Sequence, residues 1–153
     1  MLYYYEYLDP LLVEAHAAGV ARFCDERNAL IEAASGPPET FAAAIRAGLP
    51  SGPDDASMRL LFEVDVLAGA SPLHEELMQK LNRRQRAVYL RIVRAGIAAG
   101  VFVPVLTADL VAQTLVALED CHGIHIVADR VTTHDGAVEA VFAVAAGLGC
   151  PTG

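Results

Sequence analysis

Apolar residues recur at three- and four-residue spacing along most of the chain, and clusters of glycine and proline cut that pattern into segments of helical length. In the first segment Leu12, Ala15, Gly19, Phe23, Leu30, Ile31 and Ala34 share one helical face, with Glu14, Arg22, Asp25, Glu26 and Glu32 largely elsewhere. This predicts a long amphipathic helix that opens at an Asp9 cap with Pro10 as its first residue and closes near Ser35. Ser35-Gly36-Pro37-Pro38 stops it. Glu39 to Leu49 reads as a short helix with Phe41, Ala44, Ile45 and Leu49 inward, ended by Pro50-Ser51-Gly52-Pro53. Asp54 or Asp55 can cap a third helix carrying Met58, Leu61, Phe62, Val64, Asp65, Val66 and Leu67 to about Gly69. Ser71-Pro72 repeats the cap-plus-proline start. It predicts a long fourth helix to Ala99, with Leu73, Leu77, Leu81, Val88, Ile92 and Ala95 as its buried line and Gly100-Val101-Phe102-Val103-Pro104 as its stop.

Two further helical segments lie between Thr107 and Gly149, the first capped by Thr107, the two joined by a connector from Asp129 to Asp135. Between Leu110 and Ala128 the only charges at neutral pH are Glu119 and Asp120, and between Ala137 and Leu148 the only one is Glu139. A helix that is apolar all round must be covered all round. One face can pack on the rest of the chain; the other calls for a second protein surface, for which a two-fold copy is the simplest source. These two helices are therefore expected to dimerise the protein. No segment alternates in the manner of a strand, so the fold class is all-α, with six helices joined by short loops.

Composition sharpens this picture. The 153 residues suit one domain, and 54% hydrophobic content exceeds what a monomer of this size needs, as in an oligomer or a fold with an internal cavity. A net charge of -8 speaks against non-specific binding to nucleic acid or anionic membranes. Cys24, Cys121 and Cys150 are odd in number and lack metal or redox spacing, and no signal peptide or membrane span is evident, which predicts a reduced, cytoplasmic setting.

Two short stretches carry a resemblance. Arg94-Ala95-Gly96-Ile97-Ala98-Ala99-Gly100-Val101-Phe102, followed by Thr107-Ala108-Asp109-Leu110, resembles the Gly-x-x-x-Gly-x-Phe turn and capped apolar helix that recur in the C-terminal domain of the tetracycline-repressor (TetR) family. Leu2-Tyr3-Tyr4-Tyr5-Glu6-Tyr7-Leu8-Asp9-Pro10-Leu11-Leu12 is similar to that family's Tyr-x-Tyr-Phe-x-x-x-(Asp/Glu)-x-Leu-Leu segment, with Tyr5 in place of the usual phenylalanine and Leu8 in place of a common lysine. The order of helix lengths matches as well. The resemblance implies a six-helix TetR-like C-terminal domain whose last two helices form a four-helix-bundle dimer. Residues 1-8 would be the end of a helix-turn-helix domain and residues 9-149 the ligand-binding and dimerisation domain. It further implies a regulator rather than an enzyme, with a homodimeric partner, a small, mainly apolar effector and no cofactor, which reaches DNA only through an N-terminal domain missing from this chain.

Such a sensor holds its effector in an apolar cavity with a few polar groups. The candidates for its lining are Phe23, Cys24, Phe41, Met58, Phe62, Tyr89, Glu119 and His122. Ordinary core packing also accounts for the aromatics and Met58, and Cys24 and Cys121 are expected to behave as small apolar core residues. Glu119 and His122, three apart on an apolar helix, share a face and either point into the pocket or cap each other at the dimer interface.

With His125 one turn on, the same pair suggests an alternative reading as a small helical metal-binding protein or enzyme, although di-metal bundles need the Glu-x-x-His motif twice. A third reading is a module that dimerises with an intact regulator and poisons it. His74-Glu75-Glu76 lacks the second histidine of a zinc protease motif, and its acids suit a helix N-terminus. Six basic residues, Lys80, Arg83, Arg84, Arg86, Arg91 and Arg94, lie on the fourth helix, where the Glu76/Lys80 spacing favours a solvated ion-pair face over a nucleic-acid patch.

Overall fold

The structure, a computed structural model, describes residues 5–68, 72–128 and 131–152. These form six helices: α1 (Tyr5–Ala33), α2 (Pro37–Gly48), α3 (Ala56–Ala68), α4 (Pro72–Ala98), α5 (Ala108–Ala128) and α6 (His134–Gly147), with no strand among the described residues. The all-α expectation holds, and the proline and glycine clusters mark the ends of the elements. The N-terminal tyrosines Tyr3, Tyr4, Tyr5 and Tyr7 are too many for a solvated terminus and are expected from the sequence to pack onto the fold; Tyr3 and Tyr4 lie outside the described residues, and Tyr5 and Tyr7 outside the described side chains. Ser71 and the side chains of residues 63–68 and 74 lie outside them too.

Several boundaries differ from expectation for identifiable reasons. α1 starts at Tyr5, upstream of the Asp9-Pro10 pair, so Pro10 sits inside the helix and offers no N–H to the Glu6 carbonyl. α2 starts at Pro37, because both prolines occupy the first turn, where a missing N–H costs nothing. Of the two candidate caps for α3, Asp55 serves: its Oδ1 accepts from Met58 N at 3.1 Å, and its Oδ2 accepts from Ser51 N at 3.0 Å and Ser51 Oγ at 2.9 Å. Thr107 caps α5 through Leu110 N at 3.3 Å. α6 begins at His134, inside the expected connector, because Thr133 Oγ1 accepts from Gly136 N at 3.1 Å and serves as its cap. The ring Nδ1 of His134 lies 2.9 Å from the Pro50 carbonyl and ties the start of α6 to the end of α2.

α4 is the central element, packed against α1, α2, α3 and α5, while α6 lies on α5 and α2. The main core joins Ile31, Phe41, Ile45, Tyr89, Ile92, Val93, Phe102, Leu115 and Val141. A second cluster fills the space between α1, α3 and α4 with Val20, Phe23, Cys24, Met58, Leu61 and Leu81. The buried line of α1 is rotated from the expected one: His16, Val20, Phe23, Cys24, Arg27 and Ile31 point inward, and Ala15 and Leu30 are exposed. On α4, Leu73 and Ala95 are exposed, and Gln85, Tyr89 and Val93 take inward positions. The apolar faces of both helices are broad, so sequence spacing alone leaves their rotation free by about one residue.

The Gly-x-x-x-Gly-x-Phe turn has a packing explanation. A Cβ on Gly96 would fall 2.0 Å from the Phe102 ring, so only glycine lets that ring fold back onto α4, where it meets Phe41 at 5.4 Å between centroids. Gly100, at φ 72°, turns the chain, and the N–H groups of Gly100 and Val101 bond the Ile97 and Gly96 carbonyls at 3.0 Å each, a Schellman end. α6 ends the same way at Gly149, φ 85°, with Gly149 N to Ala146 O and Cys150 N to Ala145 O both at 2.9 Å. The connector after α4 lies against this end, Val103 N donating to Gly149 O at 2.9 Å and Val105 N to Leu148 O at 3.0 Å.

Gly149→Ala is expected to destabilise the protein by roughly 2 kcal/mol or more, through a left-handed φ and a Cβ that would meet the Val103 carbonyl oxygen at 2.0 Å. Thermal unfolding beside Gly52→Ala, whose Cβ would have nothing within 4 Å, checks it. Equal melting temperatures would refute it.

Candidate functional site

Beneath the second core cluster, α1, α4 and α5 each bring one polar side chain to the same buried point. Arg27 on α1 donates from Nη2 to Glu119 Oε1 on α5 at 2.8 Å, and Tyr89 on α4 donates its hydroxyl to the same oxygen. Arg27 is 3% exposed, Glu119 1% and Tyr89 0%. The guanidinium lies between two rings, its Cζ 5.0 Å from the Tyr89 centroid and 5.8 Å from that of Phe23. Gly48 on α2 completes the enclosure, since a Cβ there would fall 1.8 Å from Glu119 Oε1. Nε and Nη1 of Arg27 and Oε2 of Glu119 are buried with no hydrogen-bond partner among the described residues.

Burial pushes the Glu119 carboxyl up to about 7, against the opposing pull of Arg27 and the Tyr89 hydroxyl. Burial likewise lifts the Tyr89 hydroxyl well above its usual range, helped by the neighbouring carboxylate. For Arg27, burial works to discharge the guanidinium, but Glu119 and Tyr89 outweigh it, and Arg27 stays protonated.

The folded chain thus keeps a proton on Glu119 that the unfolded chain has already lost between pH 4.5 and about 7. The resulting stabilisation is complete below 4.5 and lost as pH rises through 7. Urea unfolding of the wild type should show stability falling across that window by on the order of 3 kcal/mol relative to Glu119→Gln. Parallel pH profiles for the two proteins would contradict this.

Above the triad, α1, α3 and α4 enclose a cavity of about 380 Å³. Its apolar wall is Phe23, Met58, Leu61, Phe62, Met78 and Leu81, and its polar positions are Gln79, Asn82, Gln85 and Asp120, with Gly48 on the side of Glu119. A second cleft of about 170 Å³ opens between α1 and α4, lined by Phe23, Cys24, Arg27, Asn28, Arg84, Gln85, Ala87 and Val88. Phe23 and Gln85 form the wall between the two spaces.

Of the sequence-derived candidates, Phe23, Met58 and Phe62 line the larger cavity, and Cys24 lines the cleft with Phe23. Phe41 does not reach either space; it packs edge-on against Tyr89, 5.8 Å between centroids, in the main core. Tyr89 and Glu119 lie below the cavity, bonded to each other and to Arg27. His122 is half-buried and lines neither space. Glu119 therefore turns to Arg27 and Tyr89, not to His122, and no three metal-ligating side chains gather among the described residues. Cys24 is buried as expected, but Cys121 is exposed.

Arg27 escaped the sequence reading although it was within reach of it. It stands four residues after Phe23 and eight after Gly19, a cation in the middle of an apolar stripe, where a lone charge needs a buried partner. On the outer face of α4, Lys80 Nζ meets Glu76 at 2.8 Å, the expected solvated pair, and Arg86 pairs with Asp109 on α5.

The face of α5 and α6 turned away from this core is exposed in the single chain. It presents Leu110, Ala117, Cys121 and Ile124 from α5 and Ala143 and Val144 from α6, with Leu110 44% and Ile124 47% exposed. No described helix is long and apolar enough to cross a membrane.

Two solved structures share this arrangement. A protein from Pseudomonas aeruginosa PAO1 described as a candidate transcriptional regulator superposes with a TM-score of 0.73 at 21% identity, over 90% of this chain and 67% of that one. A regulatory protein of the tetR family from Rhodococcus RHA1 gives 0.64 at 24% identity, over 92% of this chain and 74% of that one. No protein-family model and no curated protein matches the sequence. The chain has an all-α, TetR-like fold.

Proposed function

We propose that this chain is the ligand-sensing and dimerisation domain of a TetR-like transcriptional regulator, which reaches DNA through a helix-turn-helix segment outside it. The observation that carries the reading is the apolar, small-residue face of α5 and α6, left exposed on a fold shared with solved regulators. An unfilled face of that kind on two apolar helices marks a protein partner, and a second copy is self-complementary to it. The cavity over Phe23, Met58 and Phe62 and the cleft beside it, which share Phe23 and Gln85, supply places for a small, mainly apolar effector.

Effector and DNA would then compete through their preferences for two conformations, with α1 and α5, joined by Arg27 and Glu119, as the moving parts. Glu119 is committed to Arg27 and Tyr89, which weakens the alternative of a metal site on Glu119, His122 and His125. Sedimentation equilibrium at micromolar concentration tests the proposal: the expected species has twice the 16.2 kDa of the chain. A strictly monomeric chain refutes it. In the dimer Cys121 should react slowly with a thiol reagent, although it is exposed in the single chain.

A further inference from the structure

We propose that the cleft between α1 and α4 is an organic-anion site, in which the unpartnered donors of the Arg27 guanidinium take the carboxylate of a small acid with an apolar body. This names the effector class and rests on the sensor reading above. Arg27 is a wall of the cleft, and its Nε and Nη1 hold three N–H donors with no partner among the described residues. Burying a cation in that state is costly, and a carboxylate is the group that relieves it through charge-assisted hydrogen bonds.

The surroundings select the same charge. Arg84 stands at the rim, no acid lines the cleft, and both guanidiniums act on the Cys24 thiol, pulling against the rise that burial causes. An outer groove of about 430 Å³ shares Arg84 and Ala87 with the cleft and carries Lys80 and Arg83, also without an acid in its lining. The inner cleft, at about 170 Å³, is close to the ~150 Å³ that holds one benzene ring, so an apolar body of about six carbons fits, and longer acids extend into the groove.

A carboxylate placed here competes with Glu119 for Arg27. Glu119 is faced by Arg27 from α1, by Tyr89 from α4 and by Asp120 on its own helix, and α2 approaches it at Gly48. With Arg27 shared, Glu119 takes up a proton and the tie between α1 and α5 slackens. Binding is thereby coupled to the dimer helix.

Isothermal titration calorimetry of the full chain with benzoate and hexanoate, against benzyl alcohol and 1-hexanol, tests the assignment. At pH 7, in two buffers of different ionisation enthalpy, the acids should bind at least about tenfold more tightly than the alcohols and with net proton uptake. Arg27→Met combined with Glu119→Gln, which removes both charges together, should abolish that preference. Arg84→Gln, at an exposed rim position, should weaken the acids severalfold and leave the alcohols unchanged, so the assignment stays testable if the core double variant folds poorly. Alcohols that bind as tightly as acids, no acid binding at millimolar concentration, or an acid preference untouched by Arg84→Gln would overturn it. Sedimentation of the same samples separates the two readings. A dimer that ignores acids refutes only the carboxylate assignment, whereas a monomer refutes the sensor reading.

Discussion

Replacing Arg27 with methionine is expected to destabilise the chain by about 3–5 kcal/mol at pH 8. The cost arises less from the lost attraction than from what remains: an ionised Glu119 buried at 1% exposure with only the Tyr89 hydroxyl beside it. Because burial already holds the Glu119 carboxyl near 7 with Arg27 present, its removal pushes that carboxyl higher still, and protonation becomes the way out. The loss should therefore shrink at pH 5, where Glu119 is neutral in either protein. Adding Glu119→Gln to Arg27→Met should restore most of the stability at pH 8, since a neutral amide can keep the Tyr89 contact and methionine fills the space between the Phe23 and Tyr89 rings. Urea unfolding of the wild type, both single variants and the double variant at the two pH values forms a complete cycle. A single variant equally unstable at pH 5 and pH 8, or a double variant no better than Arg27→Met, would show that the pair acts by packing and not by charge.

If the proposed dimer forms through α5 and α6, Ala117→Arg should convert it to a monomer. In the isolated chain Ala117 is exposed on α5, between Leu110 and Ile124, and a surface arginine there would cost within about 0.5 kcal/mol. In a two-fold interface the same substitution is made twice, each guanidinium being driven into an apolar seam of small residues. A loss on the order of 3 kcal/mol weakens association more than a hundredfold, enough to leave monomers at micromolar concentration. The variant should keep its helical content, and Cys121 should react freely. If Ala117→Arg sediments as the wild type does, the partner surface lies elsewhere.

The two variants probe parts of the molecule that were unequally legible in the sequence. The α5 and α6 surface was legible because charges are nearly absent over two whole helices, a property of composition that survives any rotation of the helix. The cavity between α1, α3 and α4 was half legible. Phe23, Met58 and Phe62 line it, but Phe41, Tyr89 and His122 do not, because an aromatic in a helical stripe carries no mark that separates a filled core from an open one. Cys121 was misplaced for a related reason: on a helix apolar all round, sequence spacing does not say which side faces the fold.

What the sequence determined by itself was the number and type of the helices among the described residues and the breaks between them, since caps, prolines and glycines act locally, within a turn of the backbone they control; the starts of α1, α2 and α6 still fell elsewhere than expected. Gly96, Gly100 and Phe102 likewise announced their turn, because its geometry spans only a few residues. The rotation of α1 and α4 about their axes, the choice of Arg27 as partner for Glu119 across 92 positions, and the space that glycine opens at Gly48 were decided only by the tertiary structure. Those features depend on which surfaces meet. In a chain this rich in alanine and valine, many rotations bury similar apolar area, and the one that pairs the buried charges is selected when all the helices pack together.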